Sequence, residues 1–348
     1  MAYLTVVVPS YNSENYLARC LDSLLPQKEK LDVIIVNDGS TDRTAEIGQS
    51  YVDRWPQNFR LINKENGGHG SGINVGIELA AAPWFKVLDS DDHFAAEGLN
   101  ELLRLIADFE NKDSLKPDLI ISDFIYEVHR NKEDGQEEVI NKRADYQNVF
   151  RERGFCSWSR IRSFRYDQML MMHALCYRTE ILRKIKLELP EKTYYEDNIY
   201  VYEPLPHVRR IYYLNEPVYV YYIGRDDQSI NMGNVVKNVN MQIFVTEEML
   251  RRVRLETVRP QRLQRYMFRH LARMVAMCMM PLALLDSGES KQKIALLWQE
   301  LENINPVVAK KLRATPMLSS QRLLAKAGSY LNQQVYNLIS KAFVLGGK

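Results

Sequence analysis

Three acidic stretches stand where chemistry can be done. Val87-Leu88-Asp89-Ser90-Asp91-Asp92 follows an apolar run. Three carboxylates within four residues repel one another and lose solvation unless a cation sits among them. A hard divalent ion, Mg²⁺ or Mn²⁺, prefers such oxygen ligands and draws diphosphate oxygens into the same shell. There it would neutralise a departing diphosphate. The plainer reading is an acidic first turn of the next helix, which suits one or two acids better than three. Asp38, in Val36-Asn37-Asp38-Gly39-Ser40, ends a second apolar run. It can accept hydrogen bonds from a base N–H or a ribose hydroxyl, or it can simply make an Asp-Gly turn. Glu196 and Asp197 lie in Tyr194-Tyr195-Glu196-Asp197-Asn198, far along the chain. One of them can take the proton of an acceptor hydroxyl, which is a poor nucleophile without a base. Adjacent residues do not share a helix face, so one is expected to point into the cleft. Without context, a solvated acidic turn is the favoured reading. The stretch Asn66-Gly67-Gly68-His69-Gly70-Ser71-Gly72 offers close backbone approach to a phosphate. It lacks G-x-G-x-x-G spacing, because Ile73 stands three after Gly70.

The elements that must position these groups alternate. Leu4–Val8 reads as a buried strand ending in Pro9. Leu17, Cys20, Leu21 and Leu24 form the stripe of an amphipathic helix. Val33–Val36 is a second strand. A helix is expected over Thr41–Trp55 with Ser40 or Thr41 as N-cap. Leu61–Ile62 is a short strand, and the glycine-rich turn opens a helix through Ala80. Trp84–Leu88, a helix over Gly98–Phe109 and a strand over Leu119–Ile125 follow. Such alternation with continuous apolar strands predicts an α/β fold: a mostly parallel sheet flanked by helices, binding ligands at its carboxyl edge. Residues 127–147 read as a hairpin or exposed loop, residues 150–230 show few clear periods, and residues 234–348 read as helical.

The bulk numbers bound the function. The chain of 348 residues is 46% hydrophobic and 26% charged, an ordinary globular composition. Residues 249–348 carry 17 basic and 5 acidic side chains, against 29 and 39 before them. An acidic half can hold cations while a basic half seeks anions. Cys20, Cys156, Cys176 and Cys278 are spaced for neither a zinc site nor a disulfide framework. The N-terminal apolar run lacks a basic flank and a cleavage site, and no run is long enough to span a bilayer. A cytoplasmic location is expected.

Taken in order, Val6-Val7-Val8-Pro9-Ser10-Tyr11-Asn12, Val36-Asn37-Asp38-Gly39-Ser40-Thr41-Asp42, Asn66-Gly67-Gly68, Asn74-Val75-Gly76, Asp89-Ser90-Asp91-Asp92 and Glu196-Asp197 resemble glycosyltransferase family 2. The resemblance implies a GT-A fold over residues 1–232, with a nucleotide-sugar-binding part (1–125) and an acceptor part (126–232), followed by a basic helical region (233–348). It implies that Pro9, Tyr11 and Asp38 line the nucleoside pocket and that Asp89 lies near the ribose or the metal. It further implies that Asp91 holds Mn²⁺ or Mg²⁺ and that Asp197 is the base of an inverting displacement. Tyr222, Arg225 and Ser229 resemble a segment that closes over the diphosphate in relatives. Many relatives carry Arg where this chain has Ile73, so a phosphate or base contact is either missing here or supplied by His69 or Lys86. The nucleotide-sugar donor is expected to be a UDP-sugar on the resemblance alone, and the acceptor a glycan or a lipid-linked molecule in cell-surface polysaccharide synthesis.

A nucleotidyltransferase making nucleotide sugars would use a similar sheet and metal. It normally shows a Gly-rich, Arg- or Lys-bearing loop after the first strand, where this chain has Ser10-Tyr11-Asn12-Ser13-Glu14. A non-catalytic scaffold has no need of Asp91 and Asp197. In the tail, Leu324, Ala327, Leu331, Val335, Leu338 and Ala342 fall on a helical stripe. Such a helix can lie on an anionic membrane surface, at the inner face of the membrane, or pack on protein, including a second copy in a homo-oligomer. Nucleic acid is a poor candidate partner, for lack of a recognisable binding module.

Overall fold

The structure, a computed structural model, describes residues 2–111, 115–131, 137–224, 236–285 and 287–319. In chain order the first elements are β1 (Leu4–Ser10), α1 (Leu17–Asp22), β2 (Leu31–Asp38), α2 (Thr44–Arg54), β3 (Phe59–Lys64) and α3 (His69–Leu79). There follow β4 (Trp84–Val87), β5 (His93–Phe94), α4 (Ala96–Asn111), β6 (Leu119–Asn131), β7 (Glu137–Ala144), α5 (Gln147–Phe150) and β8 (Gly154–Cys156). Then come β9 (Leu175–Arg178), α6 (Thr179–Lys184), α7 (Asp197–Tyr202) and β10 (Ile211–Ile223). The strands form one sheet in the order β3-β2-β1-β4-β9-β6-β10-β5, with β7 on β6 and β8 on β10. Strands β1, β2, β3, β4, β6 and β10 run one way, and β5, β7, β8 and β9 oppose them. The mostly parallel α/β sheet expected from the sequence is present.

Every residue of β1 and β2 is buried, as a strand covered on both faces requires. Helix α3 lies directly on β1. A methyl group added at Gly76 would stand 2.5 Å from Val7 Cγ2, and one at Gly72 would stand 2.9 Å from Pro9 Cβ. Helix α4 buries Leu99, Leu102, Leu103 and Ile106 on one face. Helix α2 starts at Thr44, later than Ser40 or Thr41, and its N-cap Arg43 makes no side-chain cap. Ser40 and Thr41 bond instead to the loop after β1. Asn12 N–H donates to Ser40 Oγ at 3.0 Å, and Thr41 N–H donates to Asn12 Oδ1 at 2.9 Å. Local side-chain bonds have won over a longer helix. The expected hairpin or loop at 127–147 is the β6–β7 hairpin.

The chain divides into two compact units, Met1–Arg162 with Leu170–Asp226, and Ser163–Met169 with Asp227–Lys348. The second holds α8 (Val239–Arg252), α9 (Gln261–Leu285), α10 (Gly288–Ile304) and α11 (Pro306–Arg313). Its core includes Leu263, Met267, Leu271, Val275 and Leu301. Arg269 donates to Phe164 O at 3.1 Å and Arg273 donates to Tyr166 O, which clamps the short inserted segment onto α9. Among the described residues no helix is long and apolar enough to cross a membrane. Arg225, Ser229 and the stripe from Leu324 to Ala342 lie outside the described residues.

Candidate active site

The parallel strands deliver their carboxyl ends to one edge of the sheet. Asp38 is the last residue of β2, and Asp89 follows β4 by two. Strand β9 runs the other way, so its start reaches the same edge. Trp84 pairs with Arg178 and Phe85 with Tyr177. Continuing that register sets Asp89 opposite His173.

Asp38 is buried and fully engaged. Its Oδ1 accepts from Gly67 N–H and Lys64 Nζ, each at 2.8 Å, and its Oδ2 accepts from Gly68 N–H at 2.7 Å. The glycine-rich stretch is thus folded around a carboxylate of the protein itself. Gly68, at φ +85°, uses a backbone region that glycine enters without strain. Pro9 is buried beneath Gly72, whereas Tyr11 is 52% exposed.

His69, the first residue of α3, bridges two acids. Its Nδ1 lies 2.8 Å from Glu196 Oε1, and its Nε2 lies 2.8 Å from Asp89 Oδ1. Burial alone would lower the imidazole pKa; Asp89 and Glu196 outweigh it and hold the ring well above the ordinary histidine value. Against the same cost of burial, the His69 charge keeps Asp89 below the ordinary carboxylate range. Asp197 is the neighbour of Glu196 and the first residue of α7. Burial, then the Glu196 charge, push its carboxyl up to about 7. That value suits a group which must accept a proton near neutral pH.

On the other side of Asp89, Asp92 is wholly buried. It accepts from Tyr219 OH at 2.5 Å and from Tyr222 N–H at 2.8 Å. Burial and the charges of Asp91 and Asp89 push its pKa well up. His173 Nε2 lies 3.9 Å from Asp89 Oδ2, and its ring stacks on Tyr221 at 4.5 Å. Burial lowers its pKa to about 4, so the ring is a neutral donor at physiological pH. Asp89, Asp92 and His173 offer ligand atoms all within 4.8 Å of one another. A Mn²⁺ or Mg²⁺ ion fits this set: the carboxylates repel one another, and the neutral imidazole is a ligand type that Mn²⁺ accepts. Asp91 is outside that trio; its carbonyl accepts from Arg19 Nη2 at 2.7 Å.

Lys86 is wholly buried, and its ammonium donates to His173 O at 2.6 Å and Leu175 O at 3.2 Å. It holds the turn that carries His173, and none of its surface is exposed. Neither His173 nor Tyr219 was legible in the sequence. A lone histidine in Met171-Met172-His173-Ala174 has no local motif, and only the antiparallel register of β9 brings it to Asp89.

Acids gathered at the carboxyl edge of such a sheet mark the place where α/β proteins of this kind bind ligands. A family model described as Glycosyl transferase family 2 matches residues 5–168. The uncharacterized glycosyltransferase MG025 homolog of Mycoplasma pneumoniae is 32% identical over 233 residues, spanning 66% of this chain and 70% of that protein. The chain belongs to glycosyltransferase family 2 and is a glycosyltransferase. Among solved structures, S. aureus TarS 1–349 in complex with UDP matches with a TM-score of 0.65 at 20% identity, covering 97% of this chain and 91% of that one. The mannosyltransferase PcManGT from Pyrobaculum calidifontis, in complex with GDP-Man and Mn²⁺, matches with a TM-score of 0.52 at 14% identity over 94% of this chain and 86% of that one. These similarities show the GT-A fold.

Proposed function

We propose that the protein is an inverting, metal-dependent glycosyltransferase that moves a sugar from a UDP-sugar to a glycan or lipid-linked acceptor. The observation that carries this is the cluster at the carboxyl edge of the sheet, where Asp89, Asp92 and His173 offer ligand atoms within 4.8 Å and His69 joins Asp89 to Glu196, the neighbour of Asp197. Asp197 removes the acceptor hydroxyl proton, and Glu196 is held away from that role by His69. Pro9, Tyr11 and the loop folded by Asp38 line the donor pocket. Asp91 and Asp89, with Asp92 and His173 beside them, would hold Mn²⁺ or Mg²⁺. Once bound, such an ion neutralises charge developing on the leaving diphosphate. The complexes of the neighbours with UDP and with GDP-Man and Mn²⁺ support a nucleotide-sugar donor and a divalent ion.

An acceptor near an anionic membrane surface, at its cytoplasmic face, is supported by the second unit. Arg265 and Arg269 are exposed on α9, and neither has a carboxylate partner among the described residues. Cell-surface polysaccharide synthesis is the setting that joins these features. The test is a thermal-shift screen of nucleotide sugars with and without Mn²⁺. A UDP-sugar should raise the midpoint in proportion to the logarithm of its concentration, and Mn²⁺ should enlarge the shift. Stabilisation by GDP- or dTDP-sugars alone would replace the donor, and no effect of Mn²⁺ would remove the ion.

A further inference from the structure

We infer that His69 is a positioning residue: it ties the Glu196–Asp197 turn to Asp89, so that the proposed base and the donor-side acid are held in one frame. This rests on the reading of Asp197 as the base. Both ring nitrogens are already engaged with carboxylate oxygens at 2.8 Å, which leaves neither for a phosphate oxygen. The imidazole therefore acts on the reaction through the groups it holds.

The rest of α3 is built for the same purpose. Asn74 Nδ2 donates to Leu189 O at 2.9 Å, and Leu189 N–H donates to Asn74 Oδ1 at 2.8 Å. Lys192 N–H donates to Gly67 O at 2.5 Å. A methyl group at Gly70 would stand 2.7 Å from Pro190 O and 2.8 Å from Glu196 Cγ, so only glycine lets that segment approach. The segment arrives strained: Lys192 has φ 50° and Tyr195 has φ 72°, a region that costs a non-glycine residue free energy and persists where the surroundings enforce it. Backbone bonds fix Leu189 and Lys192. At the far end, His69 is the side chain that joins Glu196 to the sheet edge. Asp197 follows directly, so a loosened Glu196 loosens the base. Small misplacements of a reacting group cost large factors in rate.

His69→Ala, with His69→Asn as a second variant, tests this beside Asp197→Asn. The nucleotide sugar selected by thermal shift serves as donor, and UDP with Mn²⁺ is the binding probe. His69→Ala should lower kcat by about 10- to 100-fold, as loss of an outer-shell partner does. It should change the Kd for UDP by less than about threefold, consistent with a residue that touches no donor atom. Added imidazole should restore part of the rate, because the ring site is partly exposed. Combined with Glu196→Gln, the loss should be no greater than the larger single loss, since both changes break one link. Backbone amides 194–198 should exchange faster with solvent in His69→Ala, a readout that needs no donor. Multiplicative losses, UDP affinity falling in step with kcat, or unchanged exchange would overturn the inference. If Asp197→Asn keeps its rate, the base assignment fails instead; a dead Asp197→Asn beside a normal His69→Ala sinks the strut alone.

Discussion

As the proposed base, Asp197 should set the pH dependence of turnover through its carboxyl. Raising its carboxyl from the ordinary 3.8 to about 7 disfavours the charged form by about 4 kcal/mol, at ~1.36 kcal/mol per pH unit. At pH 6 about a tenth of the molecules carry the ionised base, and at pH 8 about nine-tenths. kcat at saturating donor should therefore climb about tenfold between those values and level off above. Glu196 contributes to the shift after burial, so Glu196→Gln should move the rising limb to lower pH. Asp197→Asn should lose about 10²- to 10⁴-fold in rate and show no such limb. Stability should move the opposite way to activity. The unfolded chain ionises this group first, so the wild type loses stability as pH rises from about 4 to about 7. Asp197→Asn should remove that loss and raise the melting midpoint at pH 8. The assay is initial-rate measurement from about pH 5.5 to 9 at constant ionic strength, paired with thermal melts at the same pH values. A flat wild-type profile between pH 6 and 8, or a limb that survives in Asp197→Asn, refutes the assignment.

Two further changes test the frame around the site. Asp38→Asn removes the carboxylate that gathers Gly67, Gly68 and Lys64. It should cost about 1–3 kcal/mol of stability, through unsatisfied buried groups, and weaken donor binding at the same time. Weaker binding with an unchanged melt would show that Asp38 serves the nucleoside alone. Gly76→Ala drives a methyl group into Val7 and should lower stability by about 1–3 kcal/mol in a denaturant melt. Gly288→Ala, where nothing lies within 4 Å, should be neutral or mildly stabilising.

The sequence displayed the parallel half of the sheet because its strands are covered on both faces and read as unbroken apolar runs. Val33–Val36 lies inside β2, two residues short at each end, and Trp84–Leu88 runs one residue past β4. The glycine-rich stretch announced a helix start, yet not that its amides are spent on Asp38, since hydrogen bonds between distant segments leave no local pattern. Residues 150–230 stayed opaque for a different reason. Strands β8 and β9 span three and four residues, too few to show a period. Strand β10 is interrupted at Pro217, where its register against β6 shifts. The acids at 89–92 and 196–197 were visible as candidates; their link through His69 was not, because one imidazole between two carboxylates exists only in three dimensions.

Strand β9 lies between β4 and β6, although β6 is made some fifty residues before it. During synthesis, which proceeds from the N-terminus, β1 to β4 can assemble while the outer edge of β4 waits without a neighbour. An open edge invites pairing with other chains. The four residues that close it begin two after His173, so the gap is sealed by the same stretch that brings this imidazole to Asp89. One short stretch of the nascent chain thus closes the open side of β4 and brings this imidazole to the sheet edge, while β10 still follows in the chain.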